Sequence, residues 1–178
     1  MTFRRGVRWF CAAMMAVAAS SASMQAQAPP ANPLDQLAWM VGGKWVADGD
    51  KGPDGKPFHV ESTIRWGDNG RVIQFTTRFK EEGRLVPVYS GIYAWHPAKK
   101  KIVFLYTDNS GALTEGDAVM DGDRLEQEFS IVGSDGVARP FRSSIVRRGP
   151  DDYDWAVLRE KDGAWTVMFA LKYKRIRD

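Results

Sequence analysis

From Gly43 to the C-terminus, apolar and polar residues alternate at a period of two, in short segments cut by turn-forming residues. Phe58, Val60, Ser62, Ile64 and Trp66 share one face, and His59, Glu61, Thr63 and Arg65 take the other. Ile73, Phe75, Thr77 and Phe79 oppose Val72, Gln74, Thr76 and Arg78 in the same way, as Leu125, Gln127, Phe129 and Ile131 oppose Glu126, Glu128, Ser130 and Val132. Trp165, Val167, Phe169, Leu171 and Tyr173 form a further stripe near the end of the chain. Successive strand side chains point to opposite sides, so each pattern predicts a strand with one buried face. Only Leu34, Leu37, Ala38 and Val41 recur at helical spacing. Asn32 ahead of them suits an N-cap and Pro33 a first helical residue, and Gly42-Gly43 ends the segment. A short helix over Leu34–Met40 is therefore predicted.

The punctuation sets the topology. Turn signals stand at Gly52-Pro53-Asp54-Gly55, Asp68-Asn69-Gly70, Glu82-Gly83, His96-Pro97, Asn109-Ser110-Gly111, Asp121-Gly122, Ser134-Asp135-Gly136, Gly149-Pro150 and Asp162-Gly163. Asn-Gly and Asp-Gly favour tight hairpins because both residues tolerate positive φ. These turns divide the chain into ten strand-length segments, and no segment between them is long enough for a helical crossover, which excludes a parallel sheet. A flat sheet of ten hairpin-linked strands would expose two long edges, whereas closure removes them, and an even number lets first and last pair antiparallel. The expected fold is all-β: an antiparallel up-and-down barrel of about ten strands with a short N-terminal helix. A two-sheet sandwich is the competing architecture.

Composition changes the picture at the N-terminus. Residues 1–28 hold Arg4, Arg5 and Arg8 and no acid, so the remainder has 22 basic residues against 22 acidic ones. A basic start, an uncharged and mostly apolar run over 9–19, and a small polar stretch follow the order of a secretory signal peptide. The run is too short to span a bilayer. The expected organisation is a signal peptide over 1–26, a linker over 27–32 and a barrel domain over 33–178. Cys11, the single cysteine, lies within the apolar run behind Arg8-Trp9-Phe10, a context unlike a lipidation site. The mature chain is expected to be exported to the periplasm or beyond, with no stable membrane anchor, no disulfide and no thiol chemistry.

A barrel of this size has room for a small ligand. Polar residues on the proposed inward faces are Ser62, Thr77, Tyr89, Tyr93, Tyr106, Gln127, Arg139 and Ser143. Fixed polar groups on apolar walls orient a ligand, and an inward guanidinium at Arg139 would hold a carboxylate. The candidate ligand is a small apolar or amphipathic molecule. Other chemistry has less support. His59 shares a face with Glu61, but that face points outward, and His96 sits in a turn. Asp48, Asp50 and Asp54 lack the later ligands of a calcium loop, so no metal is expected. Lys99-Lys100-Lys101 and Arg147-Arg148 read as solvated charge on a neutral domain, which argues against nucleic acid. No nucleophile elbow, P-loop or Cys-x-x-Cys pair is present.

The string Leu37-Ala38-Trp39-Met40-Val41-Gly42-Gly43-Lys44-Trp45, with Gly-x-Trp opening the first strand behind a short helix, resembles the calycin superfamily of lipocalin-like, fatty-acid-binding and nitrobindin-like barrels. It is similar to the opening of secreted bacterial lipocalin-like domains of unassigned function. The resemblance implies that Gly43 and Trp45 seal the barrel floor and that an arginine near the end of the last strand, Arg175 or Arg177, stacks over Trp45. Nitrobindin-like barrels hold haem through a histidine close to the C-terminus. Here the last histidine is His96, so no haem and no other cofactor is expected. Three readings follow. The first is an exported, non-catalytic binding protein with its ligand inside the barrel. The second is an interaction module of the cell envelope. The third is an isomerase or hydrolase using the cavity with His59, Glu61 or a tyrosine.

Overall fold

The structure, a computed structural model, describes residues 32–49 and 56–177. The proposed signal peptide, Cys11, the linker up to residue 31, Asp50, and the first turn at 52–55 with its Asp54 lie outside the described residues.

Ten antiparallel strands form one closed barrel in which each strand neighbours the next. They are β1 (Lys44–Gly49), β2 (Phe58–Trp66), β3 (Val72–Glu81), β4 (Arg84–His96), β5 (Lys101–Asp108), β6 (Leu113–Asp121), β7 (Arg124–Val132), β8 (Ala138–Arg147), β9 (Asp152–Lys161) and β10 (Ala164–Ile176). Closure is made by β1 on β10, with Lys44 opposite Ile176, Trp45 opposite Arg175 and Val46 opposite Lys174. That pairing excludes the sandwich. The eight described turns fall where the turn signals predict them. At Glu82-Gly83 and Asp162-Gly163 both residues have positive φ, as two-residue hairpins require. Charged residues such as Arg65, Glu126 and Arg142 point outward while aromatic and aliphatic ones fill the inside. This is the reverse of a barrel whose outer wall faces lipid.

The short helix stands where the spacing predicts it. Pro33–Met40 is a 3₁₀ helix. Asn32 caps it, with Oδ1 accepting from Leu34 N at 3.2 Å, and Asn32 Nδ2 donates to Gly70 O at 2.8 Å, which ties the helix start to the β2–β3 turn. Leu34, Leu37 and Met40 are buried against the barrel end. There they meet Ile73, Ile102, Leu125 and Trp45, all at most 2% exposed. This end is packed solid.

Two irregularities bend the wall. The β9–β10 register shifts between Val167 and Phe169. The extra residue, Met168, reverses the alternation, so Phe169, Leu171 and Tyr173 point inward while Trp165 and Val167 turn out; Val167 is 62% exposed. The C-terminal stripe read from the sequence as one inward face is thus two half-stripes. The β3–β4 register shifts beside Thr77, leaving Val88 unpaired.

Candidate functional site

Inside the barrel lies a cavity of about 180 Å³. Eight strands and Met40 of the helix contribute to its wall. All five tyrosines of the chain, Tyr89, Tyr93, Tyr106, Tyr153 and Tyr173, line it, alongside Phe75, Phe104, Phe129 and Trp155. Among the described residues no charged side chain does.

Two inward glycines make the aromatic wall possible. Gly91 on β4 is paired with Tyr106 on β5, and Gly116 on β6 with Phe129 on β7. A Cβ at Gly91 would stand 2.3 Å from Tyr106 Cβ, and one at Gly116 would stand 2.5 Å from Phe129 Cβ. Each aromatic ring therefore leans over a position without a side chain. Tyr106 meets Tyr89 edge-on at 5.5 Å between ring centroids, and Phe129 meets Phe104 edge-on at 5.6 Å.

Polar groups in the wall form short chains. Ser143 Oγ donates to Gln127 Oε1 at 2.5 Å, and Gln127 Nε2 donates to the Tyr93 hydroxyl oxygen at 3.1 Å. Because β5 and β6 separate β4 from β7 in the wall, this chain crosses the lumen. Ser62 and Thr77 hydroxyls lie 2.8 Å apart, and Tyr173 hydrogen-bonds Ser62. Tyr106 hydrogen-bonds Thr114. Burial drives every one of these phenols above its ordinary pKa; Tyr106 is pushed up to about 12, and the negative charge of Asp108 adds to the effect at Tyr89. The tyrosines are therefore neutral phenols at ordinary pH.

Seven of the eight inward polar residues read from the sequence, Ser62, Thr77, Tyr89, Tyr93, Tyr106, Gln127 and Ser143, line this one cavity. Arg139 does not. It has the inward parity of Phe141 and Ser143, but it stands beyond the rim, half exposed, and Asp135 of the adjoining turn holds its Nη2 at 2.5 Å. The ion pair holds the Asp135 carboxyl down at about 2. An inward carboxylate anchor at Arg139 is thereby corrected. Tyr153, Trp155 and Val157 were not nominated; their i, i+2, i+4 spacing in β9 carried the signal. Met168 was hidden by the bulge.

The barrel floor brings Gly43, Trp45 and Arg175 together. The Arg175 guanidinium lies 4.3 Å from the Trp45 ring centroid. Its Nη1 donates to Val41 O at 3.2 Å and its Nη2 to Trp39 O. Trp45 Nε1 donates to Met40 O at 2.8 Å. The last carbonyls of the helix are thus taken up by Trp45 and Arg175. Gly43 has φ +69°, and a Cβ there would stand 2.8 Å from Ile176 O, so both conformation and space require glycine. Arg177 instead pairs with Asp151 at 2.6 Å in solvent.

Both histidines are outside the cavity. His59 Nδ1 meets Asp48 Oδ1 at 2.8 Å, and Nε2 meets Glu61 Oε1 at 3.3 Å, on the outer face of β1 and β2. His96 borders an outer depression of about 670 Å³ over β4–β8, where Trp165 lies under Arg142 with 4.5 Å from guanidinium to ring. That depression is larger, yet its charged walls already pair among themselves, Arg142 with Glu128 and Lys99 with Asp117. The inner cavity is the better candidate because its walls surround a ligand and its polar groups are fixed. With both histidines and Glu61 outside it, the acid–base reading is left with the tyrosines alone. No metal-binding group of three or more His, Cys, Asp or Glu occurs among the described residues.

No protein-family model matches the chain, and no curated protein matches it. Among solved structures, its fold is similar to the crystal structure of Rv2717c from M. tuberculosis. The TM-score is 0.58 at 18% identity, covering 83% of this chain and 99% of that one. At that identity the likeness shows the fold alone. A closed ten-stranded antiparallel barrel with such a neighbour agrees with a calycin-like architecture.

Proposed function

We propose that this protein is an exported, non-catalytic carrier that holds a small apolar or amphipathic molecule inside its barrel. The single observation that supports it is the inner cavity: about 180 Å³, walled by aromatic rings, with a hydrogen-bonded polar chain across it. The volume selects among ligands. A dry cavity of roughly 150 Å³ accepts benzene, while pockets for drug-sized ligands run to roughly 300–1,000 Å³. The fitting ligand is therefore about one ring in size, and long-chain lipids and haem exceed the space. The proposal of export comes from the basic, apolar and small-polar order of residues 1–26.

Calorimetric titration with toluene and with palmitate tests this reading. Saturable binding of toluene at one site per chain, with no binding of palmitate, is the expected result. Absence of binding by toluene and other one-ring compounds would refute it.

A further inference from the structure

The chain Ser143–Gln127–Tyr93 has a direction, and the direction leaves one proton over. Ser143 Oγ donates to Gln127 Oε1, which turns Gln127 Nε2 toward Tyr93, and the Tyr93 oxygen accepts. The Tyr93 phenol is protonated because burial disfavours its anion. Among the described residues no protein acceptor is hydrogen-bonded to that proton, and Tyr93 is only 6% exposed. Its ring cannot swing away easily: Phe75 and Phe104 hold it at centroid distances of 5.5 and 5.7 Å. A fixed, buried donor with no protein acceptor faces a cavity whose wall carries no charge.

We infer that Tyr93 is the specificity-determining donor of the cavity, and that the molecule bound is an uncharged one-ring compound bearing a hydrogen-bond acceptor, such as a carbonyl or ether oxygen. This rests on the carrier reading above and sharpens it. The acceptor follows from the spare phenol proton. The lack of charge follows from the wall, since an ionised ligand would lose its hydration with no counter-charge in reach, Arg139 being held outside by Asp135. The ring follows from Phe104, Phe129 and Phe141, whose successive contacts at 5.6 and 5.8 Å present faces and edges for offset contact. Gln127 is a positioning residue: it touches Tyr93 and fixes which way the phenol proton points.

The test uses acetophenone and α-methylstyrene, which share a shape and differ in a carbonyl oxygen against a methylene. Both are titrated into the wild type and into Tyr93→Phe. The expected result is that the substitution weakens acetophenone about tenfold and α-methylstyrene less than about twofold, the loss of one hydrogen bond in a water-poor site. Equal effects on the two ligands would overturn the inference and leave the carrier reading standing. Failure of both ligands to bind the wild type would overturn both. Should Tyr93→Phe not fold, infrared spectra of acetophenone on the wild type decide the matter. A carbonyl stretch lower than in hexane supports donation from the phenol, and a stretch at the hexane position overturns it.

Discussion

Replacing Arg175 by alanine is the most informative perturbation of the barrel floor. The side chain is 8% exposed, stacks at 4.3 Å on Trp45, and donates to the carbonyls of Trp39 and Val41 at the end of the 3₁₀ helix. A desolvated cation–π contact contributes about 2 kcal/mol, and each buried carbonyl left without a donor costs roughly 1–3 kcal/mol. Against this stands the cost of burying the guanidinium, which lowers its own pKa. The net expectation for Arg175→Ala is a loss of about 3 kcal/mol, or roughly 6–12 °C in melting temperature for a chain of this size. Arg175→Met keeps most of the packing and should still lose about 2 kcal/mol, because the carbonyls remain unpaired. Arg177→Ala, which breaks only a solvated pair with Asp151, should change stability by less than about 0.5 kcal/mol. Chemical denaturation of the three variants provides the measurement. The reasoning fails if Arg175→Met is as stable as the wild type, or if Arg175→Ala matches Arg177→Ala.

Three further outcomes are expected. Gly116→Ala, whose new methyl would stand 2.3 Å from Glu128 O, should destabilise by about 2–3 kcal/mol, more than Gly122→Ala, where positive φ is the only obstacle; denaturation curves of the pair check the order. Ser143→Ala removes the donor to buried Gln127 Oε1 and should cost about 1–2 kcal/mol in the same assay. His59 has its pKa raised above 6.5, chiefly by its hydrogen bond to Asp48, so its contribution to stability is full below that value and fades as pH rises through the folded pKa. At Glu61, burial pushes the pKa up but the bonds from His59 and Lys44 prevail and lower it, so that contribution is lost only in acid. His59→Gln should therefore depress the melting temperature near about pH 5.5 and have little effect near about pH 9, as thermal scans at the two pH values would show.

Much of the barrel was legible because strand period and turn chemistry are local. The alternation of Phe58–Trp66 and Leu125–Ile131 put Ser62 and Gln127 inside, and Glu82-Gly83 and Asp162-Gly163 could only be tight hairpins. Parity, however, gives a face and not a depth. Arg139 has the right parity and still lies outside, because its height along β8 is set by the turn that supplies Asp135. A one-residue insertion is equally silent: nothing in Val167-Met168-Phe169 announces the bulge that turns Trp165 outward. Helical spacing could not separate a 3₁₀ from an α-helix over so few residues. Gly91 and Gly116, isolated within strands, were the unread signal for the aromatic wall.

The central claim is that a one-ring molecule enters the barrel, and intermolecular nuclear Overhauser contacts from toluene to the labelled protein test it most directly. The account predicts contacts to Ile145, Val157 and Met168 of the inner wall. Contacts confined to Val103 and Leu105 of the outer depression, or none at saturation, would contradict it.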